Sequence, residues 1–262
     1  MSSLVASVCK TIYIQATQAE QRVNLKDKAM RFVDRMFIAD DAEFESKHKR
    51  DEDGKFSSNG GTATPTAESL ARVREERYEN QVKSFVEKRG LPYVTPSERN
   101  EKHLAVKMPE ITEKESYSIY RYTDDLYEDM NSYFRNGSPV DEETLDHIRQ
   151  IERVMSQSRL DKAITVYRGV ESVDGMFKGR IFQDKGYCST SADTYQAQDF
   201  GNNILVLNLP RGLRAISTQG SSEYENESEI LLDRNVRGTI KKLEKKGDYN
   251  LYYIDVELPD GK

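Results

Sequence analysis

Three short stretches of the chain hold side chains whose types and spacing suit chemistry. Val166-Tyr167-Arg168-Gly169 puts an arginine at the end of an apolar run, with a glycine behind it. A guanidinium fork grips an anion through parallel N–H bonds, and a glycine lets the backbone approach closely. Gly186-Tyr187-Cys188 leads into Ser189-Thr190-Ser191, and Glu227-Ser228-Glu229 runs into Ile230-Leu231-Leu232. In a strand, residues i and i+2 share a face. Ser189 and Ser191 are therefore expected on one side of a cleft, and so are Glu227 and Glu229. Two carboxylates on one face repel, which suits one of them to take up a proton. Each stretch alone is short. Glu-x-Glu recurs at Glu43/Glu45, Glu113/Glu115, Glu223/Glu225 and Glu225/Glu227, so order and context must give the motifs their weight. Other chemistries lack their residues. The three histidines and two cysteines, Cys9 and Cys188, have no zinc-ligand spacing. Neither a G-x-G-x-x-G nor a G-x-x-x-x-G-K-[ST] is present.

The elements that must position these residues divide along the chain. Residues 18–38 carry Val23, Ala29, Met30, Val33, Met36 and Phe37 at helical spacing and predict an amphipathic helix within an N-terminal segment, 1–46. Residues 47–65 hold one large apolar side chain, Phe56, and read as a flexible linker. A polar helix is expected over 66–88, ended by Gly90 and Pro92, within a connecting region 66–110. Thr95-Pro96-Ser97-Glu98 and Thr112-Glu113-Lys114-Glu115 are capping boxes, each announcing a helix. The second leads an aromatic stretch to Phe134, stopped by Gly137. Residues 141–156 show an apolar stripe of Leu145, Ile148, Ile151, Val154 and Met155. Then the period changes. Residues 164–167, 203–209, 228–232 and 251–258 are β-type runs bordered by Gly, Pro or Asn. Helices first and strands after predict an α+β fold.

The ordered motifs resemble the R-S-E class of mono-ADP-ribosyltransferases, the family of the actin-modifying bacterial toxins, over residues 111–262. Tyr122-Thr123, Tyr127, Asn131 and Phe134-Arg135 resemble that family's Y-T…Y…I-N-x-x-L-R segment, with Met130 and Phe134 in place of Ile and Leu. Ala197, Phe200 and Leu209-Pro210-Arg211-Gly212 follow the serines as they do in the family, and Tyr224 stands five positions before Glu229. The resemblance implies an ADP-ribosyltransferase fold with a two-sheet β core around an NAD cleft, in a catalytic domain 111–262. It implies NAD as co-substrate, no metal, and a target protein with an exposed arginine. Arg168, with Gly169, would bind the diphosphate. Ser189 would orient the carboxylate of Glu229, which would stabilise the ribosyl cation as in glycoside cleavage. Phe200 would pack on the nicotinamide side, and Tyr122, Tyr127 and Asn131 would face adenosine and phosphate. Glu227, helped by Tyr224, would present the acceptor arginine. A protonated guanidinium, with a pKa above about 12, is a poor nucleophile, so a nearby carboxylate must take its proton. Gly201, Asn202 and Asn203 replace a basic residue that many toxin members carry after the equivalent of Phe200, which implies weaker hold on NAD.

Composition is compatible with that expectation. The 262 residues carry a formal charge of −6. Residues 1–110 hold 19 basic and 18 acidic side chains; residues 111–262 hold 20 and 27. A freely basic nucleic-acid binder is disfavoured, and an acidic catalytic half suits a basic macromolecular target. No apolar run approaches the roughly 18–20 residues of a membrane span. Residues 1–9 lack the order of a secretory leader, and two distant cysteines fit a reducing cytoplasm. Residues 48–56 resemble a polar segment of phage head proteins, which implies carriage in a virion. Two rival readings remain: an NAD glycohydrolase using water as acceptor, and a non-catalytic phage structural or binding protein that retains the fold.

Overall fold

Capping residues decide where the first helices begin. Helix α1 spans Ala67–Lys88 and α2 spans Pro96–Leu104. The Thr95 side chain accepts from the Glu98 N–H, while the Glu98 carboxylate accepts from the Thr95 N–H, the reciprocal box read from the sequence. Thr112 and Glu115 repeat it at the start of α3, Glu113–Arg121. A computed structural model of the chain describes residues 67–222 and 228–259. The expected N-terminal helix and linker, the phage-like segment 48–56, Cys9, Tyr224 and Glu227 lie outside the described residues.

From α3 the helix runs on through one π-type turn, Tyr122–Leu126, into α4, Tyr127–Asn136. Wide turns of this kind re-aim side chains and often mark functional sites. Gly137 ends α4 at φ 71°, a left-handed conformation that glycine adopts without penalty. Helix α5, Glu142–Gln157, is capped by Asp141, whose side chain accepts from Thr144.

A two-stranded ribbon joins β1, Val106–Lys107, to β2, Arg159–Leu160. The other strands are β3 (Ile164–Val170), β4 (Phe177–Lys178), β5 (Ile181–Asp184), β6 (Cys188–Ser191), β7 (Asn203–Leu209), β8 (Ala215–Ser217), β9 (Glu229–Leu232), β10 (Val236–Lys246) and β11 (Tyr249–Val256). They form one order, β4-β5-β10-β11-β7-β3-β6-β9-β8. Strands β7 and β11 pair in parallel, and the other described pairs are antiparallel. The order has a seam. Strands β3 and β7 pair over seven residues, but β3 and β6 share only Tyr167↔Ser191. A six-stranded part and a three-stranded part thus meet at one bridge within a single nine-stranded sheet, where a two-sheet core was expected.

Alternation along β3 and β7 sends their side chains to two cores. Val166, Leu205 and Leu207 pack with Phe182, Cys188, Ile230 and Ile254. Tyr167, Ile204 and Val206 pack with Val82 and Val86 of α1 and with Leu91 and Val94. A third core joins Ile119, Tyr122 and Met130 to Ile151, Val154, Tyr187 and Leu231. The compact unit accordingly begins at Arg72, earlier than the boundary expected at residue 111. The apolar face of α1 is needed to cover β3 and β7, and its polar sequence hides that.

Candidate active site

The seam between β3 and β6 is where the expected residues collect. Arg168 follows the bridging Tyr167 on β3. Its guanidinium reaches β6, where Nη1 donates to the Ser189 carbonyl at 3.1 Å and lies 3.5 Å from Cys188 Sγ. The side chain is 18% exposed. Burial pulls its pKa down, but the acidic groups of Cys188, Asp184 and Tyr122 outweigh that and raise it, so Arg168 stays charged. Its Nε is buried without a partner among the described residues.

The three residues of β6 divide their work. The Ser189 hydroxyl pairs with the Tyr122 hydroxyl at 3.0 Å. Thr190 donates to the Ile230 carbonyl and so locks β6 to β9. Ser191 accepts from the Asp193 N–H at 3.0 Å, shaping the turn into α6, Thr194–Ala197. Register places Ser191 opposite Glu229 and Ser189 opposite Leu231, so Ser189, Ser191 and Glu229 share a face. The partner of the Ser189 hydroxyl is Tyr122, however, and not the carboxylate it was expected to hold. Tyr122 is the junction of the cluster. It is 1% exposed, and Asn131 donates to its hydroxyl at 3.0 Å. Burial drives the Tyr122 pKa up and the Glu229 charge adds to that, while the hydrogen bonds from Ser189 and Asn131 and the Arg168 charge oppose it. The same phenol therefore senses Glu229 and Arg168 together. The π-type turn starts at Tyr122 and separates it from Asn131 on α4. The Oδ1 atom of Asn131 is buried and unpartnered among the described residues.

Two of the expected residues meet local geometry that the sequence did not show. Ser228 has φ 48°, in the left-handed region, and β9 begins only at Glu229. The chain is not extended across Ser228, so strand alternation does not place Glu227 on the face of Glu229. Gly169 was expected to let backbone approach a ligand. A Cβ there would lie 1.7 Å from the Ala197 carbonyl oxygen and 3.2 Å from Phe200 Cβ, so the close approach that demands glycine comes from the protein itself. That contact seats Phe200, 42% exposed, beside the end of β3. Tyr127 opens α4, is 38% exposed, and donates to Glu128 at 3.2 Å.

Sequence reasoning missed Asp184 and gave Arg135 no role in the site. Asp184 ends β5, and its carboxylate accepts from Nε and Nη2 of Arg135, both at 2.8 Å. It also lies 3.8 Å from Arg168 Nη1. Arg135 was visible as the last residue of the helix motif, whereas Asp184 gave no signal. A separate surface cleft of about 650 Å³, lined by Tyr133, Phe134, Arg149 and Arg234, shares no residue with this cluster. Among the described residues, no three His, Cys, Asp or Glu side chains form a metal-binding group, and no helix is long and apolar enough to cross a membrane.

A family model described as ADP-ribosyltransferase exoenzyme matches residues 97–258. The chain belongs to the ADP-ribosyltransferase exoenzyme family. Within it, the chain is 29% identical over 133 residues to NAD(+)--arginine ADP-ribosyltransferase EFV of Enterococcus faecalis, a match covering 46% of this chain and 27% of that protein. It is 27% identical over 127 residues to secreted exoenzyme S of Pseudomonas aeruginosa, covering 47% and 28%. The matched stretch thus spans little more than a quarter of either curated relative. Among solved structures, C3stau2 from S. aureus with NAD superposes with a TM-score of 0.55 at 19% identity, over 64% of this chain and 98% of that one. The Clostridium limosum C3 exoenzyme gives 0.52 at 15%, over 68% and 94%. At these identities the likeness is one of fold, and the fold is that of the ADP-ribosyltransferase exoenzymes.

Proposed function

We propose that the chain transfers ADP-ribose from NAD to the guanidinium of an arginine in a target protein and releases nicotinamide. The observation that carries this reading is the meeting of Arg168, Ser189, Tyr122 and Asn131 at the sheet seam, with the Glu229 charge felt at the same phenol. The unmet hydrogen-bond capacity of Arg168 Nε and Asn131 Oδ1 supports a polar ligand there, since buried polar groups normally find partners. A dinucleotide with phosphates and sugar hydroxyls has the matching groups. The EFV relative, named for NAD and arginine, supports the acceptor.

In this reading Arg168 grips the diphosphate. Tyr122, Tyr127 and Asn131 line the adenosine and phosphate side, and Phe200 covers nicotinamide. The bond between the ribose C1′ and the nicotinamide nitrogen breaks, its electron pair leaves with nicotinamide, and a cation develops on the ribose. Glu229 stabilises that charge, as carboxylates do in glycoside cleavage. Ser189 acts through Tyr122. A guanidinium nitrogen of the acceptor then bonds to C1′, and its proton passes to Glu227, with Tyr224 beside the entering arginine. The acidic balance of residues 111–262 favours a basic target surface.

The test is incubation of the purified chain with labelled NAD and a cell lysate, followed by mass spectrometry of modified residues. Label on arginine supports the reading. Steady NAD consumption without labelled protein would replace it with NAD hydrolysis. No NAD consumption and no NAD binding would leave a non-catalytic protein.

A further inference from the structure

Asp184 is 5% exposed, yet it faces two guanidiniums. Its oxygens form a bidentate pair with Arg135, with both contacts at 2.8 Å. Oδ2 also stands 3.8 Å from Nη1 of Arg168, close enough for an ion pair but too far for a hydrogen bond. Oδ1 accepts in addition from the Gly186 N–H at 3.0 Å, which fixes the turn leading into Ser189. Arg135 gives a further bond to the Tyr187 carbonyl at 3.4 Å. Two cations drawn to one carboxylate oxygen repel each other, and partial burial strengthens that repulsion. The shared carboxylate offsets it and sets where each fork points.

We infer that Asp184 is a positioning residue for the NAD diphosphate: it holds the Arg135 and Arg168 guanidiniums side by side so that their remaining N–H groups converge on one anion. This rests on the NAD reading above and adds to it a residue that touches no substrate. The effect of losing Asp184 is opposite in sign to simple charge counting. Removing a carboxylate makes the site more positive, and long-range attraction alone would then tighten binding of an anionic ligand. Loss of positioning weakens it, because two freed guanidiniums splay apart and must be re-ordered on binding.

The experiment is calorimetric titration of NAD into the full chain and into Asp184→Asn, with steady-state transfer measured on both. The substitution keeps side-chain shape and an acceptor for the Gly186 N–H. The expected result is a dissociation constant and a KM for NAD raised about tenfold or more, with kcat at saturating NAD within about threefold. An unchanged or lower dissociation constant in Asp184→Asn overturns the inference and leaves the NAD reading intact. Failure of the wild-type chain itself to bind NAD overturns both. Should Asp184→Asn not fold, the Nε–H resonance of Arg135 in the wild-type chain decides. Its protection from exchange is expected to persist when NAD binds, and its loss would show that the carboxylate releases Arg135 instead of holding it.

Discussion

Glu229 tests the account at the scale of a single residue, because Glu229→Gln removes a charge and leaves size unchanged. Transfer is expected to fall about 10²–10³-fold, the usual cost of removing one stabiliser of transition-state charge, while calorimetry finds NAD affinity within a few-fold of wild type. Gly169→Ala is a second residue-scale test. Its Cβ would meet the Ala197 carbonyl oxygen at 1.7 Å, backbone against backbone. The expected loss is about 3 kcal/mol, the upper end for overpacking, read as a lowered urea midpoint. Arg168, Ser189 and Glu229 stood out in the sequence because they belong to an ordered set of short motifs, which the fold places on β3, β6 and β9. Asp184 did not, since its role appears only in contacts to Arg135, 49 positions away, and to Arg168. Glu227 lies outside the described residues, and its shared face with Glu229 was inferred from strand alternation alone. The left-handed Ser228 breaks the period on which that inference stood, and short polar sequences do not reveal such a turn.

At the scale of elements, α2 is pinned to the strands it covers, and one pin titrates. His103 on α2 pairs through Nδ1 with the Ser217 hydroxyl of β8 at 2.8 Å. Burial, reinforced by the Lys102 charge, lowers its pKa to about 4. An unfolded histidine binds its proton near pH 6.5, so between those values the unfolded chain holds more protons than the folded one. Stability is then full above about pH 6.5 and declines as pH falls towards 4, by about 3 kcal/mol from this group. In His103→Gln, urea midpoints across that window are expected to lose most of this slope. Helices among the described residues were read well from the sequence because their signals are local: the two capping boxes and the Gly137 stop stand where expected. Strand β10, eleven residues long, escaped notice. Its Lys-rich alternation leaves most side chains partly or fully exposed, so little apolar periodicity marks it, and only pairing with β11 and β5 reveals it.

For the whole molecule, the packing and the family match both reach back before residue 111. Val82, Val86, Leu91 and Val94 bury Tyr167 and Val206, and Arg99 binds both Glu79 and Asp193. A fragment of residues 72–262 is expected to unfold cooperatively and to keep the NAD affinity of the full chain. A fragment of 111–262, which exposes one face of β3 and β7, is expected to show no cooperative melt by circular dichroism. The nine-stranded sheet, the three cores and the helical caps place Arg168, Tyr122 and Glu229 around a single seam. The most direct measurement of that claim is a crystal structure of the chain with NAD. The account predicts a diphosphate oxygen within about 3 Å of the Arg168 guanidinium and the nicotinamide ribose facing Glu229. NAD seated away from that seam, as in the cleft beside Phe134 and Arg234, would contradict it.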